Sequence, residues 1–315
     1  MPLPTINDVT LVDPVLTNML VGYMQSDMRF VASKVFPVVS VDDKSGTYGI
    51  FTKKYWFVDG LQPRSPNDKF DRSGYGIGSG TYDANLWGLE HAIADETAAN
   101  NQLPMSLEQA GTMWLAQQSL IRKEKALASA FMTTGVWGTD NTSVTKWSDF
   151  AGSDPVKDIR TAKRTVSQAT GQAANTMTCG EIVEDTLLNH PDIIDRLKHV
   201  ERATEANVRG ALASIFGLSD IYVSMAVQNT ANTGQDASMG AIIDDDALIC
   251  LVNPGAGIFG VTAGKTFAWT GGGGAGSVTP YRDQSTKSDV LQHSEAWDQK
   301  AVATDVGYFF SDCVD

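Results

Sequence analysis

Ser73-Gly74-Tyr75-Gly76-Ile77-Gly78-Ser79-Gly80-Thr81-Tyr82 puts glycine on every second residue. In a strand, such alternation strips the side chains from one face and lets another backbone or surface approach closely. A flexible loop is the competing reading. Upstream, Thr47-Tyr48-Gly49-Ile50-Phe51 and Lys54-Tyr55-Trp56-Phe57-Val58 are aromatic and β-branched, as strands are. Between them and the glycines lies a polar, turn-rich tip from Asp59 to Asp71, with Pro63 and Pro66. From Val38 to about Trp87 the chain therefore reads as a long β excursion. Such a hairpin has too little core to stand alone and needs something to lie on.

The clearest helix follows. Ser106-Leu107-Glu108-Gln109 reads as a capping box, with Ser106 as N-cap and Gln109 answering three residues later. Leu107, Trp114, Ile121 and Ala128 recur at seven, beside Met113, Leu120 and Leu127, and predict a wide apolar face running to Phe131. Arg122, Lys123, Glu124 and Lys125 are assigned to its polar side. At about 1.5 Å per residue the helix is roughly 39 Å long, enough to buttress a sheet. Ahead of the excursion, the first forty residues hold scattered large apolar side chains without periodicity. Val15 to Leu20 could be a short helix, and Val35-Phe36-Pro37-Val38-Val39 reads as extended. A segment of this kind is expected to lie across something else, a neighbouring subunit included.

After a Gly/Thr/Asn-rich linker from Thr133 to Thr145 the chain becomes mixed. Asp154-Pro155 starts a helix whose buried side is Val156, Ile159 and Val166, and Gly171 stops it. Helices are expected over Glu181–Leu188, Asp192–Lys198 and Thr204–Phe216. Strands are expected at Thr176–Cys179, Ile221–Ser224, Ala247–Val252 and Thr266–Trp269. Interleaving without strict β-α-β alternation favours α+β. The last forty residues, through Tyr281-Arg282-Asp283, Asp289–Gln292 and Asp305–Phe310, read as strands and a closing edge.

The balance of 24 Lys+Arg against 37 Asp+Glu gives −13 over 315 residues, with 42% hydrophobic and 19% charged. Wholesale disorder is excluded, and a coat of positive charge for nucleic acid is disfavoured. Cys179, Cys250 and Cys313 are odd in number and far apart, which gives neither a disulfide framework nor a zinc site. None of His91, His190, His199 and His293 sits near a cysteine. The opening Met1-Pro2-Leu3-Pro4-Thr5 lacks the basic start and apolar run of a secretion signal. Pro254, Gly255, Gly257 and Gly260 interrupt the longest apolar stretch, so no membrane helix is expected there.

Two motifs invite an enzymatic reading. Gly255-Ala256-Gly257-Ile258-Phe259-Gly260 fits G-x-G-x-x-G, but its mechanism needs a helix to open at the turn, and Val261 to Gly274 cannot supply one. Gly264-Lys265-Thr266 resembles the end of a phosphate loop, yet Phe259 stands where that loop needs glycine. Glu90-His91 and Asp95-Glu96 read as polar sheet positions, and Asp244-Asp245-Asp246 as a solvated turn rather than a cation site. No nucleophile–base arrangement is visible. The chain is therefore expected not to be an enzyme, with no catalytic, cofactor-binding or metal-ligating residue and no cofactor.

Taken in order, several strings resemble the major capsid proteins of tailed bacteriophages. Asp13-Pro14-Val15-Leu16-Thr17-Asn18, Val21-Gly22-Tyr23, Val35 to Val41 and Ser45-Gly46-Thr47-Tyr48 are similar to that family's arm and the start of its extended loop. Ile121 to Ala128 resembles its spine helix, and Thr170 to Thr176 through His190-Pro191 resembles the opening of its axial domain. Tyr281-Arg282-Asp283, Lys287-Ser288-Asp289 and Asp305-Val306-Gly307-Tyr308 resemble its closing strands. The resemblance implies an α+β tailed-phage capsid fold in five parts. These are an N-terminal arm (1–38), an extended β-hairpin loop (39–86), a peripheral domain with the spine helix (87–145), an axial α+β domain (146–280) and returning strands (281–315).

It also implies hexamers and pentamers of an icosahedral shell enclosing double-stranded DNA, assembled in the host cytoplasm, without sequence-specific DNA binding and without a membrane. Only about a dozen residues precede the arm, which implies a separate scaffolding protein. A portal protein and decoration proteins are further expected partners. The acidic balance suits a wall that does not cling to its contents. Two alternatives remain open: an encapsulin-like nanocompartment shell, and a nucleotide-dependent enzyme using Gly255–Gly260 and Lys265.

Overall fold

The computed structural model describes residues 25–51, 53–100, 106–197, 208–232, 234–256, 260–274 and 276–315. The arm strings up to Tyr23, His199 and the middle of the Gly255–Gly260 motif lie outside them. In chain order, α1 (Ala32–Val35) and β1 (Val38–Val41) lead to the hairpin strands β2 (Ser45–Phe51) and β3 (Ile77–Asp83), with α2 (Lys53–Trp56) between them. Then come β4 (Asn85–Ala94), α3 (Asp95–Ala99), the long α4 (Leu107–Phe131), β5 (Thr139–Asn141), α5 (Pro155–Thr170) and β6 (Thr176–Gly180). Helices α6 (Glu181–Asn189), α7 (Pro191–Leu197) and α8 (Val208–Phe216) precede β7 (Asp220–Ser224), β8 (Val227–Asn229) and β9 (Met239–Ala241). The chain ends through β10 (Ala247–Cys250), β11 (Gly264–Trp269), β12 (Ser277–Asp283), β13 (Ser288–Ala301) and β14 (Gly307–Phe310).

Two five-stranded sheets carry the molecule. One has the order β1-β11-β13-β12, with β4 on the other side of β13; the second runs β5-β14-β10-β6-β7. The α+β expectation holds. Of the late strands, β12 forms an edge as expected, but β13 and β14 lie inside their sheets. β13 extends over Ser288–Ala301 and pairs with β12 and β11 along one side and β4 along the other. β14 sits between β5 and β10. A strand made last still takes a central place when its residues are the most apolar available, and Gly307–Phe310 is buried throughout.

Helix α5 is built as its sequence predicts. The Asp154 carboxylate caps the Lys157 amide at 2.9 Å, and Pro155 opens the first turn. Gly171 ends it in the left-handed region at φ 67°, which suits a residue without Cβ. Val156, Ile159, Ala162 and Val166 bury against a core shared with Met177, Ile249, Phe309 and Phe310.

Three expectations are corrected. Ser106 stands at the N-cap of α4 but its side chain makes no capping bond. The buried line of α4 is Gly111, Leu115 and Ser119, then Glu124, Leu127 and Phe131, while Met113 and Trp114 are 46% and 41% exposed. The helix crosses from one sheet to the other, so its buried side changes along its length instead of following one stripe. Lys53–Trp56 is a helical turn, not a strand. The β2–β3 register ends at Phe51 opposite Ile77. Beyond that point no strand among the described residues pairs with this backbone, which bonds locally, Phe57 N–H to Lys53 O at 3.2 Å.

Within the described part of the segment expected to lie on something else, residues 30–36 contribute to this chain's own core. Phe30, Val31, Ala32, Val35 and Phe36 are buried in this chain, and Phe36 meets the rings of Phe131 and Trp137. Gln25 binds both the N–H and the C=O of Val227. Large apolar side chains without periodicity are what an irregular segment needs to fill a core gap.

Candidate assembly surface

The hairpin is fastened at its base and exposes apolar side chains beyond it. Tyr48 and Tyr82 project from the same face of β2–β3, each opposite a glycine: Tyr48 faces Gly80 and Tyr82 faces Gly46. A Cβ at Gly80 would stand 2.4 Å from the Tyr48 ring, and one at Gly46 2.7 Å from the Tyr82 hydroxyl. The two tyrosine rings stack on Phe267 of β11, with centroids at 5.5 and 4.6 Å. Part of the bare glycine face is thus occupied by the hairpin's own rings. Gly78 is different. A Cβ there would touch only the Ile50 carbonyl, at 3.6 Å. Backbone bonds complete the base: Ala84 N–H to Lys44 O at 2.8 Å, and Asp83 N–H to the Asp298 carboxylate at 2.9 Å.

Beyond the base the hairpin has few partners. Lys53 pairs with Asp305 at 2.6 Å, both half exposed. Leu61 is 89% and Phe70 78% exposed, and Phe57, Val58, Tyr75 and Ile77 are also exposed. The guanidinium of Arg64 lies over the Phe70 ring at 4.2 Å and covers one face of it. A second apolar surface lies between the first half of α4 and the β12–β13 strands, a groove of about 900 Å³ that includes Met113, Val278, Tyr281 and Leu291. Contiguous exposed apolar surface of this kind marks interaction sites.

The spine helix fixes these surfaces relative to each other through two carboxylates. Glu124, fully buried, accepts the amides of Val31 and Ala32 at 3.0 and 2.9 Å and the Ser224 hydroxyl at 2.7 Å. Burial raises its pKa, although these bonds oppose the shift. On the opposite side Glu295 of β13 accepts the Ser119 hydroxyl and the Lys123 ammonium, each at 2.7 Å. Burial pushes Glu295 up, but the Lys123 and Ser119 bonds outweigh it and hold the carboxyl below its usual range. Arg122 lies over the Trp87 ring at 4.2 Å. Of the four residues assigned to the polar side, Arg122 and Lys125 are exposed, Lys123 is half-buried and Glu124 is buried.

The remaining motif residues have structural partners. Asp246 accepts the Asp312 amide at 3.0 Å, and Glu90 accepts the Tyr281 hydroxyl at 3.2 Å. Asp95 takes both arms of Arg282, at 2.5 and 2.6 Å, and that hydrogen bonding lowers its pKa. His91 tilts against Trp114. Lys265 lies on β11, so a strand and not a helix follows the glycine motif; burial lowers the lysine's pKa.

One constellation is absent from the sequence reading. Ser153 Oγ is 3.1 Å from His190 Nε2, and His190 Nδ1 is 3.9 Å from Asp192. The order mimics a nucleophile, base and orienter. The hydroxyl, however, donates to Asp149 O at 2.7 Å and Nδ1 accepts the Asp192 amide, so Nε2–H points to the serine and both groups serve turns. His190 is completely buried. Among the described residues no group of His, Cys, Asp and Glu could hold a metal, and no helix is long and apolar enough to cross a membrane.

The sequence pattern of the family described as Phage major capsid protein E matches residues 136–266. The major capsid protein of Burkholderia phage BcepMu is 28% identical over 233 residues, covering 70% of this chain and 71% of its own length. Among solved structures, a phage-related protein of Bordetella bronchiseptica RB50 superposes with a TM-score of 0.68 at 22% identity, over 96% of this chain and 97% of its own. The capsid of cyanophage P-SCSP1u superposes with a TM-score of 0.58 at 13% identity, over 94% and 91%. The fold is that of the tailed-phage capsid subunits. Family pattern and curated relative carry the function: it is that of a phage major capsid protein.

Proposed function

We propose that copies of this chain close into hexamers and pentamers of an icosahedral shell around double-stranded DNA, in the capsid of a virion assembled in the host cytoplasm. The observation that carries the reading is the hairpin: a base locked by Phe267 and a tip whose apolar side chains have no core of their own. The tip and the α4–β12 groove supply thin elements for interfaces of the roughly 2,000–5,000 Å² typical of obligate assemblies. In the proposed organisation 1–38 is the arm, 39–86 the extended loop, 87–145 the peripheral domain, 146–280 the axial domain and 281–315 the returning strands. The role is structural and not enzymatic. A separate scaffolding protein, a portal and decoration proteins complete the proposed partners. Negative-stain microscopy of the purified chain, alone and with its scaffold, tests the reading. Closed shells are expected, and monodisperse monomers under both conditions would refute it.

A further inference from the structure

Four cations converge on one shallow groove of an otherwise acidic chain. Lys157, Arg160 and Arg164 stand at i, i+3 and i+7 on the exposed side of α5, which aligns them over roughly 10 Å of helix. Arg196, in the last turn of α7, joins them across a groove of about 390 Å³. No carboxylate among the described residues forms an ion pair with any of the four. Two carboxylates of the same helix start have other partners, although Asp154 also lines the groove. Asp154 is bound to the Lys157 amide, and Asp158 accepts the Trp147 indole N–H at 3.2 Å. Arg160 also donates to Ile215 O at 3.3 Å, while Lys163 is consumed by the carbonyls of Phe216 and Gly217 that end α8.

We propose that this groove binds the phosphate backbone of double-stranded DNA, and the assignment rests on the shell reading above for its source, the packaged genome. Two observations select phosphate over an acidic polypeptide. Apart from the cations the groove is lined by Asp154, Thr161 and the buried Val156, so it lacks the apolar centre that protein interfaces build on. Three of its four cations are arginines, whose planar forks match phosphate oxygens in pairs. Along a DNA strand phosphates rise about 3.4 Å per residue, so the α5 row spans about three of them. The net charge of −13 keeps the rest of the surface repulsive. Contact is thereby confined to one place per subunit and carries no base readout.

The test is fluorescence anisotropy of a labelled 20-base-pair duplex with the full chain between 50 and 200 mM NaCl. Four phosphate contacts predict an affinity loss of roughly a hundredfold across that range. The combined variant Lys157→Gln, Arg164→Gln, Arg196→Gln leaves one cation, and its loss falls to roughly fourfold, with its helical circular dichroism unchanged. Replacing the hairpin cations Lys69 and Arg72 by Gln leaves the salt slope at the wild-type value. Binding of poly-glutamate but not of the duplex would overturn the proposal in favour of an acidic protein partner. A salt slope that the groove variant does not change would overturn it outright. Microscopy of the same samples separates the two readings: shells that form without duplex binding refute the groove and not the capsid, and duplex binding without shells does the reverse.

Discussion

An added methyl at Gly80 must displace the Tyr48 ring, whereas at Gly78 it meets only a carbonyl at ordinary contact distance. Two glycines in one alternation therefore do different work, and substitution separates them. Gly80→Ala should lower the opening free energy of the hairpin by about 1–3 kcal/mol, as overpacking does, and Gly78→Ala should leave it within about 0.5 kcal/mol. Hydrogen exchange of the β2 and β3 amides reads both. The alternation was legible in the sequence, but which glycine receives a ring depends on register, which alternation does not encode. Glu124 makes a second case. Its folded pKa lies above the ordinary 4.5, so the stability of its neutral form is complete below pH 4.5 and is lost as pH rises through the folded value. Glu124→Gln keeps an acceptor for the Val31 and Ala32 amides and cannot ionise. Its stability relative to wild type should rise between pH 4 and pH 7 in urea unfolding; a difference independent of pH would sink the idea.

The spine helix gathers such residues into an element that joins two sheets. Neighbours in sequence, Lys123 and Glu124 point to opposite sides, one to β13 and one to α1 and β7. A seven-residue pattern predicts a single apolar stripe, and here it placed buried polar anchors on the solvent side. Periodicity detects a helix but not a change of neighbour along it, and a buried carboxylate looks solvated until its partners, 93 and 100 residues away, are folded against it. Local signals did better where the determinant is local, as at Asp154, Pro155 and Gly171 of α5. Lys123→Met leaves Glu295 buried without its cation and should cost about 3 kcal/mol, the low end for a broken buried pair because the ammonium is partly solvated. Glu295 is held below its usual pKa, so the stability drawn from its charge is present above pH 4.5 and lost as pH falls through the folded value. The Lys123→Met penalty should accordingly shrink on acidification, measured as the urea midpoint difference at pH 7 and pH 4. Relative to wild type, Lys123→Met thus gains stability on acidification, whereas Glu124→Gln loses it.

At the scale of the whole molecule, folding and assembly draw on different surfaces. Phe30, Val31, Val35 and Phe36 complete the chain's own core, whereas Leu61 and Phe70 contribute nothing to it. A subunit divided in this way tolerates changes at the tip that its shell does not. Burying one large apolar side chain is worth about 1.5–3 kcal/mol, so Leu61→Ser with Phe70→Ser removes at least about 3 kcal/mol per subunit from the proposed contacts. That corresponds to a rise of roughly a hundredfold or more in the concentration needed to assemble, and closed symmetry compounds it because every copy makes the same contact. The isolated chain should meanwhile unfold within about 0.5 kcal/mol of wild type, as exposed substitutions do. Gly78→Val belongs with this pair: its Cβ meets only the Ile50 carbonyl at 3.6 Å and its side chain covers the remaining bare patch of the hairpin face, so shell formation should fail while the helical signal of the monomer is kept. Light scattering across a concentration series, paired with urea unfolding of the same preparations, separates the two costs. Normal shells from both variants would show that the hairpin is not a contact surface, and a matching loss of stability would show that the tip belongs to the fold.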